Sequence, residues 1–271
     1  MLTGVPKTAL GVARIRAGES ARSDHLFNDP YAAAFVAAMP DAYSADAVRS
    51  DAERAIGARI AMQVVVRTRF YDDYLLAATK EGARQVVLLA AGLDTRAFRL
   101  DWPADTKVFE IDLPDMVDFK ESVMAETGAA PTATRSAIRA DLTADWTTAL
   151  VAAGFDASQP TAWLIEGLLV YLTYDDAARL LETVGQLSAP GSTLSCELGR
   201  GAMQLAQIAA VRSGAGASEA VSLWQGGIED LPRWLTEHGW TVETHDLDVL
   251  AASYGRPITT ESQTGFVIAR R

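Results

Sequence analysis

The sequence predicts an α/β protein, a mostly parallel sheet with helices on both faces behind an N-terminal helical cap. Three observations carry this. Short apolar runs and helical stretches alternate from residue 86 onward, the pattern that gives parallel strands joined by crossover helices. The run 86–90 is apolar at every position, as a strand buried on both faces must be, and it stops at Gly92, where the backbone can turn tightly. Acidic residues stand at or near the ends of four strand candidates (Asp112, Asp141, Glu166 and Glu197), where sheets of this kind place their ligands.

Composition sets the bounds. A chain of 271 residues can bury a sizeable core, and 49% hydrophobic with 22% charged residues is ordinary for a globular protein. The net charge of -11, with no basic cluster, argues against a protein that tracks nucleic-acid phosphates. No uncharged run is long enough to cross a bilayer, so no membrane role is expected. Residues 1–7 lack a basic segment followed by an apolar one, which argues against a secretion signal. Cys196 is the only cysteine, which excludes an intrachain disulfide; with three scattered histidines, no metal site is expected. A reducing, cytoplasmic setting fits these features, and nothing specifies an oligomeric state.

Taken in order, residues 8–25 read as an Ala-rich helix. Asn28-Asp29-Pro30 is a turn or cap signal, followed by a short helix over 31–38. A longer helix is expected over about 51–81, where Ile60, Val64, Phe70, Tyr74 and Leu75 follow roughly helical spacing. Next come the strand 86–90, a helix start at 94–100 with capping chemistry from Asp94 and Thr95, and the strand 107–112. A helix over 114–127 precedes a weaker strand at 136–141. Then follow a helix at 145–153, a strand at 162–166, an amphipathic helix at 174–187 and a strand at 192–198. Residues 203–211 read as helix and 214–218 as loop. A helix over 228–238 ends at Gly239, and 240–247 and 265–269 are strands. The expectation is one domain: a cap at 1–82, a core at 83–198 and 239–271, and a substrate-covering insert at 199–238.

The glycine turn is informative for what it lacks. It is not Gly-x-Gly-x-x-Gly, and no Lys-Ser or Lys-Thr follows to make a phosphate loop. A pyrophosphate needs several free backbone N–H groups and tolerates carboxylates poorly, so Asp94 and Glu166 would repel it. Asp112 stands twenty positions after Gly92, about the offset at which a carboxylate meets ribose hydroxyls. A ligand with a ribose, positive charge and no phosphate fits best, and S-adenosyl-L-methionine is such a molecule.

Seven segments then carry a resemblance: Ala17-Gly-Glu-Ser20, Asp29-Pro-Tyr31, Arg67-Thr-Arg-Phe-Tyr-Asp72, Ala91-Gly-Leu-Asp-Thr-Arg96, Glu110-Ile-Asp-Leu-Pro114, Asp141-Leu142 and Glu166-Gly-Leu-Leu-Val-Tyr-Leu172. In these the chain resembles the leucine carboxyl methyltransferase-like branch of class I S-adenosylmethionine-dependent methyltransferases, which implies a Rossmann-like sheet. The resemblance implies that Arg67 holds the cofactor's carboxylate and that Ala91 and Gly92 let the loop approach it. It implies that Asp112 and Leu113 meet the ribose, Asp141 and Leu142 the adenine, and Glu166 the amino group or sulfonium side. Asp94, Thr95 and Arg96 are expected to brace the loop, and Arg16 to reach in from the first helix. A surface ion pair of Arg67 with Asp72 or Asp73 is the bland alternative.

Methyl transfer from a sulfonium is an in-line displacement, in which positioning alone can supply ~7–11 kcal/mol. Tyr171, five residues beyond Glu166, is the candidate catalytic residue, as a substrate positioner. A small-molecule acceptor is expected, with O-methylation of a carboxylate or hydroxyl, in specialised metabolism. N- or C-methylation of an indole-like acceptor is the alternative. A nicotinamide-dependent oxidoreductase and a non-catalytic cofactor-binding protein are readings from other classes.

Overall fold

The structure is a computed structural model that describes residues 7–40, 51–198, 226–258 and 265–271. Three helices come first: α1 (Lys7–Ser20), α2 (Ala32–Ala38) and α3 (Asp51–Lys80). The alternating part holds β1 (Gln85–Leu89), α4 (Arg96–Arg99), β2 (Lys107–Asp112), α5 (Pro114–Thr127), β3 (Thr134–Arg139) and α6 (Thr147–Ala152). It continues with β4 (Thr161–Ile165), a 3-10 turn (Leu169–Tyr171), α7 (Tyr174–Gln186) and β5 (Thr193–Glu197). Last come α8 (Leu231–Glu237), β6 (Thr241–Asp246), α9 (Leu247–Ser253) and β7 (Gly265–Arg270).

These strands form one sheet in the order β3-β2-β1-β4-β5-β7-β6. The first five are parallel, and β7 runs antiparallel to both neighbours. Strand order reverses between β1 and β4, so the chain leaves these two adjacent strands in opposite directions. A crevice opens there at their carboxyl ends.

Position in the sheet explains the sequence patterns. β1 and β4 are central and buried at every residue, hence their continuous apolar runs. Alternate residues of β1 serve opposite cores: Val86 and Leu88 pack with Phe70, Phe98 and Phe266, whereas Val87 and Leu89 pack with Phe109, Trp163 and Leu180. Each such side chain contributes roughly 1.5–3 kcal/mol on burial. The Tyr74 hydroxyl bonds the Trp163 carbonyl oxygen at 3.0 Å and Thr193 Oγ1 at 2.9 Å, tying α3 to β4 and β5. α7 buries Ala177, Leu180, Leu181 and Val184, and Thr173 caps it by accepting from the Asp176 N–H.

Several boundaries differ from the sequence reading. β1 ends at Leu89 because Ala90 takes φ +55°, which no strand allows. α1 stops at Ser20, whose hydroxyl turns back to the Arg16 carbonyl. β3 runs two residues earlier than expected, so Asp141 lies beyond its end. α9 was not expected: seven residues with Leu247 and Ala251 inward give little periodicity, and its Asp246 cap sits in a strand pattern. The expected helix at 203–211 and loop at 214–218 lie outside the described residues. Within the expected insert, α8 packs Leu231, Trp234 and Leu235 into the core. Among the described residues, no helix is long and apolar enough to cross a membrane.

Candidate active site

A cavity of about 280 Å³ lies in the crevice at the ends of β1 and β4. Residues Leu88 to Asp94 line it from below, and Arg67, Asp112, Glu166 and Tyr171 line its sides. Thr8, Ala9, Val12 and Arg16 of α1 complete the enclosure. The cap therefore supplies part of the wall.

Loop geometry follows from two left-handed residues, Ala90 at φ +55° and Gly92 at φ +47°. For Ala90 this costs roughly 1–2 kcal/mol, and the loop is held by bonds to the end of β2. The Ala91 N–H donates to the Ile111 carbonyl at 3.0 Å, and the Gly92 N–H to Asp112 Oδ2 at 2.6 Å. Asp112 Oδ1 accepts from the Leu113 N–H at 2.7 Å. Burial pushes the Asp112 carboxyl up, and these two N–H groups act against it. Each carboxylate oxygen has a second lone pair, so Asp112 keeps capacity for ligand hydroxyls.

Behind the loop runs a chain of ion pairs. Arg67 Nε is 2.8 Å from Glu166 Oε1, and its Nη1 donates to Glu197 Oε1 at 3.0 Å. Glu197 also accepts from the Gly167 N–H, both oxygens at 3.0 Å. Arg96, 1% exposed, donates to Asp72 Oδ1 at 2.7 Å, to Glu166 Oε2 at 2.8 Å and to Asp94. Arg99 grips Asp72 with two bonds of 2.7 and 2.8 Å. Burial raises the Asp94 carboxyl, but Arg96, Lys120 and Arg16 together outweigh it and hold the group down at about 2. Glu166 is likewise lowered: burial raises it, and Arg96 and Arg67 together prevail. Burial alone would lower Arg67, yet Glu166 and Glu197 raise it.

The sequence-predicted residues thus fall into three groups. Arg67, Ala91, Gly92, Asp112, Glu166 and Tyr171 line the cavity, while Leu113 is half exposed beside Asp112. Arg67 pairs with Glu166 and Glu197; Asp72 serves Arg96 and Arg99, and Asp73 serves Arg69. Asp141 and Leu142 do not line it. Asp141 accepts from the Thr143 N–H and hydroxyl at 2.8 and 2.7 Å, and Leu142 lines a separate groove with Trp146. The cleft expected from four acids is therefore largely compensated by arginine, not an open cluster of negative charge. Arg16 reaches the cavity, donating to the Leu93 carbonyl at 2.6 Å and pairing with Asp29 at 3.1 Å. Two roles were not legible in the sequence. Glu197 reads there only as a strand-end acid, and Arg96 only as a brace; the contacts Arg67–Glu197 and Arg96–Glu166 span 130 and 70 residues, beyond any local pattern.

The lining suits a cationic nucleoside without phosphate. Arg67 Nε is buried beside Glu166 but not aligned for a hydrogen bond, and the N–H groups of Ala91, Gly92 and Asp94 are already taken, by the Ile111 carbonyl, Asp112 and the Ala91 carbonyl, so they are not offered to a pyrophosphate. The fold agrees. A magnesium protoporphyrin IX methyltransferase from Synechocystis, solved with bound SAH, superposes with TM-score 0.50 at 15% identity, covering 83% of this chain and 89% of that one. A duf574 family protein from Streptomyces avermitilis gives TM-score 0.58 at 12% identity, over 88% and 95%. The fold is that of the class I S-adenosylmethionine-dependent methyltransferases.

Sequence relatives narrow the class. The leucine carboxyl methyltransferase family model matches residues 9–185. A Parafrankia protein provisionally named as an S-adenosyl-L-methionine-dependent methyltransferase is 48% identical, over 99% of this chain and 87% of its own. A Streptomyces coelicolor protein with the same provisional name is 46% identical, over 96% and 92%. The chain belongs to the leucine carboxyl methyltransferase family. It is an enzyme of methyl transfer with S-adenosyl-L-methionine as cofactor, and the oxidoreductase and non-catalytic readings are not favoured.

Proposed function

We propose that this methyltransferase acts on a small-molecule acceptor, transferring the methyl group to oxygen, with a carboxylate preferred over a hydroxyl. The supporting observation is the cavity lining. Among the described residues it includes Arg16 and Arg67 but no histidine, lysine or cysteine to serve as a general base, and its acids are engaged, Asp94 and Glu166 by arginine and Asp112 by two backbone N–H groups. An ionised carboxylate needs none. The volume, about 280 Å³, lies just below the ~300–1,000 Å³ usual for small-molecule sites.

In this reading Arg67, Ala91, Gly92, Asp112, Leu113 and Glu166 hold the cofactor. Asp141 and Leu142 are assigned to the adenine end, a reading supported by the 2.9 Å bond from the Ala140 N–H to the Asp112 carbonyl, which keeps the end of β3 beside Asp112. The bound cofactor supplies an electrophilic methyl group on a sulfonium. Glu166 presents negative charge on that side, Asp112 accepts from hydroxyls, and Tyr171 positions the acceptor. The cap, whose helix α1 lines the cavity, covers the acceptor side, and the cytoplasm and specialised metabolism are the setting. Incubation with labelled cofactor and a panel of small carboxylic acids and phenols tests this. Base-labile methyl esters are expected; transfer only to nitrogen, carbon or a protein tail would overturn it.

A further inference from the structure

Glu197 sits behind the cavity wall, and its contacts are unusual for a strand-end acid. Both its oxygens accept from the Gly167 N–H, and one also accepts from Arg67 Nη1. Arg67 and Gly167 line the cavity; Glu197 does not. Glu197 therefore acts through them, fixing the guanidinium and the turn after β4 with one carboxylate.

Its charge also sets a balance. The connected chain holds Glu197, Glu166, Asp94 and Asp72 against Arg67, Arg96 and Arg99, a net single negative charge. Without Glu197 the chain would be neutral. The charged end of S-adenosyl-L-methionine carries a carboxylate, an ammonium and a sulfonium, net +1. The product, S-adenosylhomocysteine, has a thioether in place of the sulfonium and is net neutral there.

We propose that Glu197 is a positioning residue whose charge, delivered through Arg67, makes the cavity wall prefer the sulfonium cofactor over its neutral thioether product. This rests on the reading that Arg67 and Glu166 face the cofactor's charged end. Preference of this kind disfavours product retention after each turnover. At Coulomb energies near a protein surface, one unit charge within several ångströms suffices for a difference of about tenfold. The groups facing Glu197 are Arg67 and Tyr71 on α3, Glu166 at the end of β4, and Cys196 beside it on β5. The Tyr71 hydroxyl is buried with no hydrogen-bond partner among the described residues, so it does not donate to the acid.

The test is calorimetric, with the full chain and its Glu197→Gln variant. Glutamine keeps one acceptor oxygen for Arg67 and Gly167, removes the charge and turns the second oxygen into a donor. The expected result is about tenfold weaker binding of S-adenosyl-L-methionine, with S-adenosylhomocysteine affinity nearly unchanged. Equal weakening of both ligands, or no change in either, would overturn the proposal alone. Failure of the unaltered chain to bind either ligand would overturn the cofactor reading beneath it. Should Glu197→Gln not fold, the ratio of the two affinities is measured on the unaltered chain between pH 7.5 and 5. Burial pushes the Glu197 carboxyl up, so the preference is expected to shrink toward acid pH. A constant ratio would overturn it.

Discussion

Arg96 shows what a fully buried charge requires. Its guanidinium is enclosed by Asp72, Asp94 and Glu166, each from a different segment, and stands 5.9 Å from the centre of the Tyr71 ring. This cation is the largest of the charges that lower the carboxyls of two of those acids, Asp94 and Glu166. Removing it leaves carboxylates buried without compensation, which costs far more than the net worth of the pair. Arg96→Met is expected to lose ~3–5 kcal/mol in urea unfolding. Arg96→Lys recovers only part of this, because one ammonium lacks the planar fork that spans three acceptors. A loss below ~1 kcal/mol for Arg96→Met would show that the network relaxes freely.

Among the elements, the 3-10 turn Leu169–Tyr171 has a glycine pressed against its backbone. The chain returns to the core at Gly226 and Gly227, whose N–H groups bond the carbonyls of Val170 at 3.4 Å and Leu172 at 3.1 Å. Gly227 has φ +56°, and a Cβ there would lie 2.6 Å from the Leu169 carbonyl oxygen. That contact is with backbone, so only a shift of the turn relieves it. Gly227→Ala is expected to lower stability by more than the ~1 kcal/mol of left-handed strain alone. Since Tyr171 ends this turn and lines the cavity, acceptor KM should rise in the same variant. Unchanged melting temperature and KM would show that the turn does not depend on the close approach.

For the whole molecule, the ion-pair chain links pH to folding. Asp94 is fully buried, and its carboxyl falls from an ordinary 3.8 to about 2 in the folded protein. A lowered acid stabilises the fold above its unfolded value, and the contribution is lost as pH falls through about 2. That difference is worth roughly 2 kcal/mol at 1.36 kcal/mol per unit. Between pH 5 and 2, Asp94→Asn should therefore lose roughly 2 kcal/mol less stability than the unaltered chain. Parallel pH profiles for the two would show that Asp94 is not coupled to folding. Asp112 has the opposite sign: its raised carboxyl makes the fold prefer the protonated form, so its contribution falls as pH rises through the window.

The sequence by itself determined the alternation of strands and helices, the glycine turn and the acid twenty residues after it. These rest on local rules: continuous apolar runs for central strands, a left-handed position that suits glycine, and a fixed offset within one βαβ unit. It also carried the family through motifs, several of whose residues line the cavity. Only the tertiary structure decided which charges meet. Arg67 had Asp72 and Asp73 within two turns of its own helix, yet its partners are Glu166 and Glu197, 99 and 130 residues on. The reason is geometric: parallel strands bring their carboxyl ends to one edge, and α3 lies against that edge, so contact there is independent of separation along the chain. Asp141 shows the converse. It has the right residue type near a strand end, but β3 stops two residues short, and its carboxylate closes a turn with Thr143 outside the cavity.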